Sequence, residues 1–148
     1  MPVLIVIPAR YASTRYPGKP LVALKGAGGQ EKILIRRSWE AAQAVAGADR
    51  VVVATDDARI RDAAQGFGAE VVMTSESCAN GTERCAQAFD RLGGGFDIVV
   101  NLQGDLPTLE PHLIRDCLLP LSSDGPDVAT LAAEIVEPEE RTSPHVVK

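Results

Sequence analysis

The chain has 148 residues, 45% hydrophobic and 24% charged, which is the size and make-up of one soluble globular domain and excludes wholesale disorder. Its formal net charge of −5 argues against a protein that coats nucleic acid, and no apolar run approaches the roughly 20 residues that cross a bilayer. Along the chain, short apolar runs rich in Val and Ile alternate with helical patterns. The first run, residues 3–7, follows no basic segment, so it reads as a buried strand rather than a secretory signal, and a cytoplasmic protein is expected. Further strands are expected at 51–54, 70–73, 98–102 and 128–132. Helices are expected at 33–45, with Ile35, Trp39, Ala42 and Ala46 near one face, and at 58–67, after Asp56-Asp57 and before Gly68. Two more fall at 82–92, ending on Gly93-Gly94-Gly95, and at 113–121. Continuous apolar runs suit strands buried on both faces, and strand–helix alternation with short connections gives βαβ units. The expected class is α/β, a mostly parallel sheet with flanking helices, with no linker that divides the chain.

Ligands of open parallel sheets bind beyond the carboxyl ends of the strands, so the informative residues are those after each apolar run. After the first comes Arg10-Tyr11-Ala12-Ser13-Thr14-Arg15-Tyr16-Pro17-Gly18-Lys19, with two guanidiniums, an ammonium, hydroxyls and a glycine. Residues 1–37 hold seven Lys/Arg against the single acid Glu31, so the remaining 111 residues carry −11. Phosphate recognition needs positive charge together with donors from a turned loop, and this segment offers both. An ordinary basic surface loop is the alternative. It is neither a Walker A loop nor a dinucleotide fingerprint, since Glu31 stands where the latter needs glycine.

After the fourth run comes Gln103-Gly104-Asp105. A carboxylate delivered there suits a hard cation such as Mg²⁺ that bridges to substrate phosphates, or else serves a Gly-Asp-x-Pro turn. Asn80-Gly81-Thr82-Glu83 offers either pocket lining for a base or ribose, or a helix start with Thr82 as cap. Asp56 or Asp57 reads most simply as a cap. Trp39 reads as helix core, and Glu137, Glu139 and Glu140 as a solvated turn. Cys78, Cys85 and Cys117 form no C-x-x-C pair and read as reduced thiols. His112 and His145 lie apart, which argues against a histidine cluster as a metal site and leaves a histidine acting as catalytic base as the lesser alternative.

Taken in order, I-P-A-R-Y-A-S-T-R-Y-P-G-K-P-L at 7–21, V-A-T-D-D at 53–57, E-V-V-M-T at 70–74, N-G-T-E-R at 80–84 and N-L-Q-G-D at 101–105 resemble the 3-deoxy-manno-octulosonate (Kdo) cytidylyltransferases. The resemblance runs the length of the chain. It implies a Rossmann-like nucleotidyltransferase fold and a Mg²⁺-dependent reaction of CTP with an acidic 2-keto sugar. The products would be CMP-sugar and pyrophosphate, in the service of lipopolysaccharide or surface polysaccharide. Carried over by position, Arg10, Ser13 and Lys19 would hold the triphosphate, and Ala9, Asn80, Gly81, Thr82 and Gln103 would frame the cytidine. Asp105 would bind Mg²⁺, with Arg10, Lys19 and Asp105 as the catalytic set. The chain departs from the family at Leu106, where an acid is usual, in segment 26–35, and at Asn80, where many members have Ser. Members run to roughly 250 residues, so the resemblance makes residues 1–148 the N-terminal nucleotide-binding portion of a cytidylyltransferase domain. It also implies a homodimeric full-length form. A CTP-binding portion without turnover, or a nucleotidyltransferase for another sugar, is the alternative.

Overall fold

In the computed structural model, residues 1–13, 15–121, 124–144 and 146 are described; the expectations on Thr14, Ser122, Ser123 and His145 lie outside them. The chain falls into two compact units, Met1–Arg115 and Asp116–Lys148. The first contains the main sheet, in which four strands run parallel: β1 (Val3–Ala9), β4 (Arg50–Thr55), β5 (Glu70–Met73) and β6 (Ile98–Asn101), in the order β5-β4-β1-β6. All four were expected to within two residues at either end.

Strand β1 is interior, and both of its faces are covered. Ile5, Ile7 and Ala9 point to one side, where α1 (Leu34–Gln43) contributes Ile35 and Ala42 and α2 (Ala58–Gly66) contributes Ile60 and Ala64. Leu4 and Val6 point to the other, against Cys85 and Ala88 of α3 (Gly81–Arg91). Period-2 alternation thus feeds two separate cores, which is why the run is apolar at every position rather than at every second one. Burying each large aliphatic side chain contributes about 1.5–3 kcal/mol, so this strand anchors the unit. Of the apolar stripe expected on α1, Ile35, Trp39 and Ala42 are in place, whereas Ala46 lies beyond the end of the helix and is exposed. Ala42 is fully buried, Trp39 packs against the same cluster, and its ring lies 5.2 Å from that of Phe67.

The helix boundaries follow from local chemistry. Asp57 caps α2, its Oδ1 accepting from the Arg59 N–H at 2.8 Å, and the helix gives way to Gly68 at φ +91°. At α3 the cap is Asn80 rather than Thr82: Asn80 Oδ1 accepts from the Glu83 N–H at 2.9 Å, while the Glu83 carboxylate accepts from the Ala79 N–H at 2.8 Å. That reciprocal pair satisfies two otherwise orphaned donors, and it places the helix start one residue earlier than expected.

Two further strands were not anticipated. β2 (Ala23–Lys25) and β3 (Glu31–Ile33) pair antiparallel as a small hairpin between the first loop and α1. Its turn is closed by Gly26 N–H to Gln30 C=O and Gly29 N–H to Gly26 C=O, both 2.9 Å, and Arg37 of α1 ties it down through the Leu24 and Gln30 carbonyls at 2.7 and 3.1 Å. Lys32 reaches Glu40 at 2.6 Å, and Arg36 joins the same carboxylate at 3.0 Å.

The fourth helix, α4 (Pro111–Leu118), begins two residues earlier than expected and ends three earlier. The strand expected at 128–132 does not form. The segment has no ladder partner among the described residues, and Val128 is 81% exposed. An apolar run becomes a strand only where another strand supplies hydrogen-bond partners. In the second unit Glu139 and Glu140 lie on an exposed single-turn helix, Pro138–Arg141, which exposed Glu137 precedes, as expected of a solvated turn.

The three thiols are free, and Cys85, on the inner face of α3, is buried. Burial pushes its pKa up to about 12, so the reactive thiolate is scarce at any working pH. At pH 8 a thiol reagent should label half-buried Cys78 and Cys117 first and reach Cys85 only at the rate of unfolding. Mass spectrometry of timed quenches checks this order.

Candidate functional site

The order β5-β4-β1-β6 places β4 on one side of β1 and β6, which follows it in sequence, on the other. The carboxyl ends of β1 and β6 therefore border a topological switch point, where a crevice opens in sheets of this kind. The loop after β1 carries the N-terminal basic cluster, and the turn after β6 carries Gln103-Gly104-Asp105.

The first loop folds back on itself. The Gly18 N–H donates to the Tyr11 carbonyl at 2.9 Å, and the Tyr16 N–H donates to Ser13 Oγ at 3.3 Å. Gly18 is left-handed, at φ +72°, and starts the short 3₁₀ turn Lys19–Leu21. A residue with a Cβ would be strained there, so the glycine is what returns the chain and delivers Lys19 to the cavity that Arg10 also lines.

The second element is held from below. Ser38 of α1, buried almost completely, donates its hydroxyl to the Gly104 carbonyl at 3.0 Å. A Cβ built on Gly104 would lie 3.2 Å from the Pro8 carbonyl oxygen and 3.3 Å from Ile35 Cδ1. The turn is thus wedged between the end of β1 and α1, and its next residue, Asp105, emerges toward the first loop. There Lys19 Nζ meets Asp105 Oδ2 at 2.7 Å, a pair 86 residues apart in sequence with both side chains about half exposed.

Around this pair lies a cavity of about 780 Å³, lined among others by Ala9, Arg10, Ser13, Arg15, Tyr16, Lys19, Gln103 and Asp105. Among the described residues of the lining three cations face a single carboxylate, so it favours a polyanion. A second cavity of about 270 Å³ shares Pro8, Ala9, Arg10 and Gln103 with the first and adds Cys78, Ala79, Asn80, Gly81 and Arg84. Gln103 lies on the boundary of both. Gly81 comes close to it: a Cβ there would sit 3.3 Å from Gln103 Nε2 and from Pro8.

Arg84, on α3, is the charged group buried behind this second cavity. Its side chain is 4% exposed; it donates to Thr74 Oγ1 at 2.5 Å and Ser75 C=O at 3.4 Å, and lies 3.4 Å from Asp56 Oδ1. Asp56 is thus the partner of a buried guanidinium, while Asp57 is the cap. The Arg59 guanidinium holds the Asp57 carboxyl below its ordinary value of 3.8, so the pair remains ionised through neutral and mildly acidic pH.

Eight of the nine sequence-derived site residues meet at these cavities: Ala9, Arg10, Ser13, Lys19, Gln103 and Asp105 at the larger, Asn80 and Gly81 at the smaller. Thr82 lines neither. It stands in the first turn of α3, with its hydroxyl 3.5 Å from Asn101 Nδ2. Sequence reasoning passed over Arg15 and Tyr16, whose only signal was membership of the basic loop. It also missed Val22 and Leu24, which reach the larger cavity through the unanticipated hairpin. His112 lines neither cavity and lies 3.1 Å from surface Glu110.

The profile of the cytidylyltransferase family matches residues 4–148, and the chain belongs to that family. It is 46% identical over 146 residues to the mitochondrial 3-deoxy-manno-octulosonate cytidylyltransferase of Arabidopsis thaliana, covering 99% of this chain and 49% of that one. To the 3-deoxy-manno-octulosonate cytidylyltransferase of Maricaulis maris it is 52% identical over 124 residues, which is 84% of this chain and 46% of that one. Among solved structures, a CMP:2-keto-3-deoxy-manno-octonic acid synthetase complexed with CTP superposes with a TM-score of 0.73 at 41% identity, over 80% of this chain and 46% of the other. The chain spans about half the length of these relatives.

The packing of Gly104 generates a direct test. Gly104→Ala should lose about 1–3 kcal/mol in urea unfolding, because the added methyl overpacks against a backbone carbonyl that can yield only by moving β1. Gly28→Ala, in open space, should stay within about 0.5 kcal/mol of the parent.

Proposed function

We propose that this chain is the nucleotide-binding portion of an enzyme that transfers a cytidylyl group from CTP to an acidic 2-keto sugar of the Kdo type, releasing pyrophosphate. The observation that carries the reading is the meeting of Lys19 and Asp105 at the mouth of a basic cavity that continues, past Gln103, into a smaller one beside Asn80 and Gly81. A nucleoside triphosphate has the same two-part character, polyanionic at one end and a flat polar heterocycle at the other. The larger volume lies within the usual range of small-molecule sites, about 300–1,000 Å³. The names of the relatives supply the base and the sugar.

In this reading the guanidinium of Arg10, the ammonium of Lys19 and the hydroxyl of Ser13 bind the triphosphate, and Ala9, Asn80, Gly81 and Gln103 border the cytidine. Thr82 acts from behind, through Asn101. The sugar hydroxyl attacks the α-phosphorus, the P–O bond to the pyrophosphate breaks, and the hydroxyl proton passes through solvent to the released pyrophosphate. Arg10 and Lys19 stabilise the charge that gathers on the phosphoryl oxygens, and they do so from prearranged positions, where such groups contribute most.

Asp105 is the only carboxylate on the described lining of the larger cavity. This suits a cation that takes its remaining ligands from phosphates and water rather than from a protein cage. Mg²⁺ held there would neutralise phosphate charge. Lys19 must leave Asp105 for each to meet its ligand, so phosphate binding frees the carboxylate. The same reading carries a homodimeric whole protein, a part in surface polysaccharide synthesis and operation in the cytoplasm, where charged substrates are retained because they do not cross bilayers unaided.

The share of the relatives' length that the chain spans favours one second reading, a portion that binds CTP without turnover. Calorimetry with CTP and Mg²⁺ should show binding under both readings. Pyrophosphate release on adding Kdo should occur under the first alone, and absence of CTP binding would dismiss both. Lys19→Ala should weaken CTP about 10- to 100-fold, the loss of one charge-assisted hydrogen bond. Asp105→Asn should abolish the Mg²⁺ dependence of CTP binding; a retained dependence removes Asp105 as the ligand.

A further inference from the structure

We infer that Arg59, in the first turn of α2, is a positioning residue that holds the anion-binding loop in its working shape through the ring of Tyr11. Neither residue lines either cavity, so any effect they have on a ligand passes through the loop.

The geometry is a relay of rigid parts. Asp57, the cap of α2, grips Arg59 with both carboxylate oxygens: Oδ1 accepts from Nε at 3.0 Å and Oδ2 from Nη2 at 2.6 Å. That two-point contact fixes the plane of the guanidinium. The guanidinium carbon in turn lies 3.3 Å from the centroid of the Tyr11 ring, a close cation–π contact. The ring also forms the wall against which the loop closes. A Cβ on Gly18 would stand 3.0 Å from Tyr11 Cε2 and 3.2 Å from its hydroxyl oxygen, and the Gly18 N–H donates to the Tyr11 carbonyl at 2.9 Å.

The placement in sequence gives this contact its consequence. Tyr11 adjoins Arg10, and Gly18 adjoins Lys19, so the two closing residues lie just inside the two cations that would take the phosphates. Fixing the Tyr11–Gly18 contact fixes how far apart Arg10 and Lys19 stand. A loop already closed pays less ordering entropy when a polyanion arrives, and the saving appears as affinity. Arg59 thus extends the site to a helix whose other side packs in the core.

The inference rests on the triphosphate reading above. Its test compares wild type, Arg59→Ala, Tyr11→Leu, Tyr11→Phe and the Arg59→Ala/Tyr11→Leu double variant by calorimetry, with CTP, cytidine and inorganic tripolyphosphate as probes. Arg59→Ala and Tyr11→Leu should each weaken CTP and tripolyphosphate about 2- to 5-fold, the range of an exposed cation–π contact. Cytidine should be unaffected, and Tyr11→Phe, which keeps the ring, should match wild type. In the Tyr11→Leu background, Arg59→Ala should cost nothing more.

Full CTP affinity in Tyr11→Leu alongside a loss in Arg59→Ala would overturn the inference, because Arg59 would then act only as a distant charge. Equal losses for cytidine and CTP would overturn it as well, since they mark general destabilisation. If wild type binds tripolyphosphate but not CTP, the nucleotide reading fails while the tripolyphosphate series still decides the role of Arg59.

Discussion

The arrangement depends on one constraint: β1 must be covered on both faces and paired on both edges. Its residues alternate between two cores, its hydrogen bonds are shared between β4 and β6, and those neighbours, both later in the chain, flank it on opposite edges. A strand held in this way cannot slip without exposing an entire apolar set. Whatever follows β1 is therefore delivered to one fixed place, and so is whatever follows β6. The basic loop and the Gly104-Asp105 turn meet because the strands behind them have no alternative register.

Charge supplies the second layer. A loop carrying Arg10, Arg15 and Lys19 repels itself, and the only carboxylate on the described cavity lining, Asp105, is met by Lys19. With both side chains half in solvent, the pair adds little to stability. Its meaning lies elsewhere, in holding a cation and an anion side by side at a distance each can trade for a better partner. The buried pair behind the second cavity has a different role. Arg84 is surrounded by Thr74, Ser75 and Asp56 and keeps the start of α3 against the end of β4.

Much of this is legible along the chain because the signals are local. The four strands of the sheet are runs of β-branched residues with turn or cap residues behind them, and the helices begin and end at Asp57, Gly68 and the glycine triplet 93–95. The failures are equally physical. The hairpin at 23–33 has strands of three residues, too short for any period to register. The run at 128–132 has strand composition, but a strand is a pairing and no propensity supplies a partner. At α3 the expected cap was the Thr82 hydroxyl, and only the geometry of the Glu83 contacts decides for Asn80.

By itself the sequence determined the α/β alternation, the basic character of the first loop and eight of the residues that border the cavities, because composition and spacing act locally or are repeated in the family motif. Only the tertiary structure decided that Lys19 and Asp105 touch across 86 positions, that Gly104 is wedged under Pro8, and that Arg59 of α2 lies over the Tyr11 ring. These are contacts between segments brought together by the order of strands in the sheet. That order is set by the burial of whole faces at once, a property that no short stretch of sequence carries.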